Sequence, residues 1–169
     1  MTEIISIIAD LALTLSLIVA LIFGIAQVRT AERDRRERFT LETLRNFQTR
    51  EFAEFINYIT TRSMLSSRKE LEALPTSDQL IFIQLAQQME SLGMLVADKF
   101  IDLDLVDKTL GSFVTTAWEK YKPMFLHMRE KQPDPFLGEY FQWLAERIDE
   151  RMRANPRKPF FEIVPGKKS

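Results

Sequence analysis

The twenty-five residues from Ile4 to Val28, IISIIADLALTLSLIVALIFGIAQV, hold no Lys or Arg and a single charged side chain, Asp10. As a helix rising ~1.5 Å per residue the run reaches about 37 Å, enough to cross a hydrocarbon core of roughly 30 Å with some tilt. A buried core helix is seldom so long, and a cleaved signal peptide has a basic start, a shorter apolar region and a small-residue cleavage site. Here the chain starts Met1-Thr2-Glu3, and the basic cluster RTAERDRRER follows the apolar run instead of preceding it. The run therefore reads as a transmembrane helix. Arg29, Arg33, Arg35 and Arg36 read as its anchors at the membrane interface, and the positive-inside rule puts the N terminus outside and everything from Arg29 onward in the cytoplasm.

Two lines along this helix carry the functional expectation. Asp10, Thr14, Leu17, Leu21 and Val28 fall close to one line at 100° per residue. If copies surround an axis, Asp10 and Thr14 line the outer mouth of a pore and Leu17 and Leu21 form a hydrophobic constriction, because an acidic side chain in a membrane helix faces protein or water. The plainer reading leaves Asp10 reaching headgroups a turn or two inside the outer interface. Ala12, Ser16, Ala20 and Gly24 form a second ladder, four small residues spaced by four. That spacing lets helix backbones approach closely in lipid, where packing drives association, and it predicts a homo-oligomer.

The remaining residues suffice for one modest domain. With Glu3 and Asp10 set aside, the net charge of −1 becomes +1 for the rest, which carries no general electrostatic signal for nucleic acid. The chain has no cysteine, excluding disulfides, thiol catalysis and Cys-ligated metal centres. Five glycines, 13 phenylalanines and apolar spacing of helical period point to an all-α protein. The expected organisation is a transmembrane helix at 1–28, a basic juxtamembrane helix at 29–48, a cytoplasmic helical domain at 49–155 and a C-terminal tail at 156–169.

No Gly or Pro occurs between Val28 and Pro75, so the membrane helix is expected to run on toward Phe47, with Phe39, Leu44 and Phe47 on an apolar face. Thr49 is the predicted cap of a second helix that carries Phe52, Phe55, Ile56 and Ile59 to about Arg62. A short helix lies within SMLSSRKELEALP. Thr76 to Gln79 form a capping-box pattern for a long helix with Leu80, Ile83, Ala86, Met89, Gly93 and Val96 on its buried face. Asp102 or Asp104 caps the next helix, with Val106, Leu110, Phe113, Trp118 and Tyr121 inside and a bend or break at Pro123. Asp134 and Pro135 are the predicted start of the last helix, whose stripe is Phe136, Tyr140, Leu144, Ile148 and Met152, and Asn155-Pro156 ends it. Phe160, Phe161, Ile163 and Val164 give the tail an apolar character suited to docking or fraying.

Chemistry is sparse. One histidine, His127, and no cysteine leave few ways to build a nucleophile and base or a transition-metal site, and a packed or surface role outweighs a catalytic one. Glu90, Asp98, Asp102, Asp104 and Asp107 lack the glycine-centred spacing of an oxygen-ligand calcium loop, and there is no Gly-rich phosphate loop. Phe160 and Phe161 beside Arg157 and Lys158 are a weak approach to a single-strand binder. The expectation is a self-associating non-enzyme without cofactor or metal, with membrane lipid and further copies of itself as partners. The alternative is a membrane-tethered module whose protein partner docks on the helices after Pro75, and behind it stands a membrane-bound ribonuclease.

The E-x-x-G-x-L-V run at Glu90 to Val96, the I-D-x-D-L-V turn at Ile101 to Val106, and Trp118 followed by Arg129 resemble a bacterial family known only as a domain of unknown function. The resemblance implies a single-pass inner-membrane protein with a helical cytoplasmic part, and brings no catalytic residues. In layout alone the chain is also similar to the membrane accessory proteins of RNA-targeting type VI-B CRISPR systems, which assemble as pores and strengthen antiphage defence. Some of those are linked to the HEPN ribonuclease fold, whose motif separates Arg from a following His by four to six intervening residues. Lys120, Tyr121 and Lys122 occupy those positions before His127, so the motif is absent.

Overall fold

In the computed structural model, described for residues 2–131, 134–159 and 162, the chain is all-α. Helices α1 (Thr2–Arg45), α2 (Arg50–Thr61), α3 (Arg68–Glu72), α4 (Thr76–Ala97), α5 (Leu103–Lys131) and α6 (Glu139–Ala154) follow one another with short connections. The long N-terminal helix continues unbroken into a bundle of the remaining five, as the lack of Gly and Pro after Val28 requires. Its end tightens into three i−3 bonds, from the N–H groups of Asn46, Phe47 and Gln48. Thr49 then caps α2, its Oγ1 accepting from the Phe52 N–H at 3.2 Å.

The bundle core is aromatic. Trp118 lies against Phe125 and Phe141, with ring centroids 5.6 and 5.2 Å apart. Phe82 meets Tyr121 edge-on at 5.1 Å, and Phe52 meets Phe113 at 4.6 Å. α6 packs across α4 and α5, and its C-terminal turn reaches back to the start of α5, where Arg151 Nη2 donates to Asp104 Oδ1 at 2.8 Å.

Several local expectations are corrected. On α4 the buried face is Phe82, Leu85, Met89, Leu92, Gly93 and Val96, while Leu80 and Ile83 are exposed. The face is turned by about one residue because the Phe82 ring takes the place beside Tyr121 and Phe125. The Thr76–Gln79 pattern does not close as a capping box: Pro75 holds the cap position, Asp78 pairs with Arg62 Nη2 at 2.7 Å, and Gln79 Nε2 donates to the Leu74 carbonyl at 2.8 Å. Pro123 lies inside α5 without interrupting it.

The last helix begins at Glu139, not Asp134. Asp134 Oδ1 accepts from the Phe136 N–H at 3.1 Å and closes a turn, after which Gly138 takes φ 71°, a left-handed value that glycine adopts freely. The buried stripe is accordingly Phe141, Leu144, Ala145 and Ile148, and Phe136 and Met152 are exposed. Phe39, expected on the apolar face of α1, is exposed too, and Thr40 and Leu44 are the residues α1 buries. Phe160, Phe161, Ile163 and Val164 of the tail, and Gln132 and Pro133 of the linker, lie outside the described residues.

Candidate functional site

Every residue of α1 from Glu3 to Phe39 is exposed. Among the described residues nothing covers this part of the helix, and its apolar stretch is long and apolar enough, by length and composition, to cross a membrane. Asp10, Thr14, Leu17 and Leu21 stand on this bare surface, as do Ala12, Ser16, Ala20 and Gly24. A Cβ added to Gly24 would meet no atom within 4 Å. The Thr14 hydroxyl donates to the Asp10 carbonyl at 2.8 Å, a bond within its own helix that leaves its oxygen free to accept from water or a neighbour. Arg29, Arg33, Arg35 and Arg36 follow on the exposed stalk, where Arg33 Nε reaches Glu37 Oε1 at 2.9 Å.

The stalk is fastened to the bundle at Thr40. This fully buried hydroxyl donates to the Arg36 carbonyl at 2.7 Å and accepts from the Asp102 N–H at 3.0 Å. Asp102 in turn caps α5, Oδ1 accepting from the N–H groups of Asp104 at 2.7 Å and Leu105 at 3.2 Å. Beside it Ile101 is buried. Asp104 accepts from Lys108 Nζ at 2.5 Å and from Arg151 on α6, and the Lys108 hydrogen bond holds its carboxyl below the usual carboxylate range. The I-D-x-D-L-V turn is thus the point where α1, α5 and α6 are tied together.

The E-x-x-G run does the same at the other helix junction. Glu90 supplies from α4 the cap that α6 lacks locally, its two carboxylate oxygens accepting from the N–H groups of Tyr140 at 3.3 Å and Phe141 at 3.0 Å. One turn on, Gly93 lets the Tyr140 backbone approach so closely that a Cβ there would sit 2.2 Å from its carbonyl oxygen. Arg129 closes the connection before α6, with Nε donating to the Leu137 carbonyl at 2.8 Å and Nη1 to Gln142 Oε1 at 2.7 Å. Each motif that carried the family likeness is therefore accounted for by packing or capping.

A polar group in the interior escaped the sequence reading. Tyr58, Asp78 and Tyr121 are buried, with Arg62 paired to Asp78 and the Lys120 ammonium donating to the carbonyls of Ile59 and Arg62 at the end of α2. Burial pushes both phenols up and the Lys120 amine down from their ordinary values. The signal available was Asp78, four residues before Phe82 and so on the buried face of α4. His127 is half-buried and lines a surface groove with Arg68, Glu72 and Lys131. Among the described residues no three His, Asp or Glu side chains gather as a metal site, Glu90, Asp98, Asp102, Asp104 and Asp107 included.

No curated protein and no solved structure matches this chain. Residues 7–148 match a family model, so the matched region begins inside the apolar part of α1 and ends inside α6. By that match the chain belongs to the family described as "Domain of unknown function (DUF4760)".

Proposed function

We propose that this protein is a single-pass protein of the bacterial inner membrane, with its N terminus outside and its bundle in the cytoplasm, that acts by self-association of α1. The observation that carries the reading is the uncovered run from Glu3 to Phe39 in a chain whose other long helices bury a continuous face. A signal sequence passes the same test of length and composition. Against it stand the arginines after the run and the fact that α1 continues as one helix until Thr40 and Leu44 enter the core. In lipid there is no hydrophobic drive between spans, so association depends on close packing, which Ala12, Ser16, Ala20 and Gly24 allow.

In the assembled form Asp10 and Thr14 line an outer mouth and Leu17 and Leu21 a constriction that opens by wetting. The protein is then a pore-forming or membrane-perturbing accessory factor rather than an enzyme, and antiphage defence is the setting its layout suggests. Purified in nanodiscs, it is expected to run as a multi-subunit species by mass photometry, and vesicles containing it to leak ions at a rate altered by Leu17→Ser or Leu21→Ser. A monomer, or leakage indifferent to both substitutions, would remove the pore. The rival that survives such a result is a membrane-tethered module, whose protein partner docks on the exposed side of α4 at Leu80, Ile83 and Met94.

A further inference from the structure

The corner between α4 and α5 buries Ile101, whose N–H returns to the Leu95 carbonyl at 3.2 Å, but leaves the residue before it outside the bundle. The Phe100 N–H bonds to the Leu95 carbonyl at 2.9 Å and the Lys99 N–H to the Val96 carbonyl at 3.0 Å, the two bonds of a Schellman motif. The position after the cap takes a left-handed conformation there, and Gly or Asn normally fills it. Here it is Lys99, at φ 62°. A hydrophobic residue next in line usually folds back onto the helix. Phe100 instead leaves 58% of its surface exposed.

Lys99 and Phe100 flank a cleft of about 1080 Å³ whose other wall is the stalk, with Arg35, Arg36, Arg38 and the exposed ring of Phe39. The described lining of that cleft carries four cations against two acids, Glu32 and Glu42. A second copy standing in the same membrane would present the same excess of positive charge at the same height, whereas an anionic headgroup layer complements it.

The geometry lets the corner reach that layer. Phe39 lies eleven residues beyond Val28, about 16 Å along the helix. The span exceeds the hydrocarbon thickness by roughly 7 Å, a surplus that a tilt of about 35° absorbs. Such a tilt lowers the stalk to about 13 Å, and it swings a side chain ~10 Å off the axis about 6 Å closer still, to the edge of the headgroups. Length permits the tilt and interfacial anchors choose its direction. We infer that the Lys99–Phe100 corner docks on anionic headgroups of the cytoplasmic leaflet, the ring at the interface and the ammonium on phosphate, and so fixes the direction in which α1 leans. The inference rests on the membrane reading of α1.

Because the chain has no cysteine, full-length single-cysteine variants can be labelled with a fluorophore and reconstituted in vesicles carrying a headgroup nitroxide lipid. Thr30→Cys reports the span, Asp98→Cys the corner with Lys99 and Phe100 left in place, and Phe136→Cys an exposed aromatic position at the far end of α5, next to the Leu137 carbonyl that holds Arg129. Labels at 30 and 98 are expected to be quenched and the label at 136 not, with quenching at 98 stronger in phosphatidylglycerol mixtures than in phosphatidylcholine alone. Lys99→Asn, which suits the left-handed backbone while removing the charge, is expected to lower the ratio of docked to free at 98 about fivefold. Quenching at 30 with none at 98 overturns the docking and leaves the span intact. Absence at both positions removes the span and the docking together. Cross-linking between cysteines at 98 of two copies, with no dependence on lipid charge, assigns the corner to a subunit contact and overturns the inference.

Discussion

Among the described residues α1 and α4 are the two helices long and apolar enough, by length and composition, to cross a membrane, yet they meet different surroundings. α4 buries Phe82, Leu85, Met89, Leu92 and Val96 and offers Glu90 and Gly93 to α6. α1 buries nothing before Thr40. Polar residues make the difference. α4 interleaves Gln84, Gln87, Gln88, Glu90 and Ser91 with its apolar positions at helical period, giving it one face for a core and one for water. Between Ile4 and Val28 α1 is apolar all round apart from Asp10 and small hydroxyl or amide groups. A helix of that kind has no polar face to turn to water, which is why the proposed function places it in lipid.

The glycines of the two helices test the contrast most severely. Gly93→Ala would drive a methyl to 2.2 Å from the Tyr140 carbonyl oxygen, a clash with backbone that no side-chain rotation relieves. A loss of about 3 kcal/mol or more in bundle stability is expected, read by Trp118 and Trp143 fluorescence during unfolding in detergent. Gly24→Ala meets no atom in its own chain, so it should leave that transition unmoved and act only on association of the span. Equal effects at the two positions would mean that α1 packs on its own bundle.

Alkali should separate the bundle from the span next. Burial raises the Tyr58 and Tyr121 phenols above their ordinary value, so the folded chain keeps protons that the unfolded chain gives up. That stability is fully present below the unfolded value of about 10 and declines as pH rises past it, by up to ~1.4 kcal/mol per unit for each group. Tyrosinate absorbance from these two residues is expected to appear together with loss of the bundle's helical signal, and before it only if the two rings are open to solvent.

Removing the borrowed cap comes third. Glu90→Ala leaves the N–H groups of Tyr140 and Phe141 without their acceptor, in a helix whose own Gly138 offers no side chain. The expected cost is about 1–2 kcal/mol, with hydrogen exchange accelerated at the start of α6 before the rest of the bundle.

Glu90 also marks where the sequence could be read and where it could not. Long apolar periodicity sufficed to find α1, α2, α4 and α5, and Thr49 and Asp102 announced their helices because a cap bonds within three residues. The start of α6 was misplaced because its cap comes from Glu90, 50 residues upstream, a partnership with no local signature. The face of α4 was misplaced by about one residue because size decides between neighbouring apolar positions, and the Phe82 ring needs the space beside Tyr121. Of the candidate site the sequence announced the apolar helix itself: Asp10, Thr14, Leu17, Leu21 and the Ala12 to Gly24 ladder stand on an open surface among the described residues, and what meets that surface is decided by contacts between molecules, which one chain's periodicity does not encode. The Lys99–Phe100 corner was invisible, because neither residue type announces a left-handed turn.

The smallest expected effect lies where the two regions meet. Thr40→Val keeps the shape of a fully buried side chain but removes the hydroxyl that accepts from the Asp102 N–H and donates to the Arg36 carbonyl. The Arg36 carbonyl retains its helical partner, so the loss falls on one half-buried N–H, and about 1 kcal/mol is expected, a shift of a few degrees in Tm. Association of the span, measured by energy transfer between labelled copies in vesicles, should not change, because the ladder from Ala12 to Gly24 lies more than ~20 Å along the helix from Thr40. A weaker association in Thr40→Val would mean that the bundle steers how the spans meet, and the bare helix and the packed domain would then have to be treated as one coupled unit.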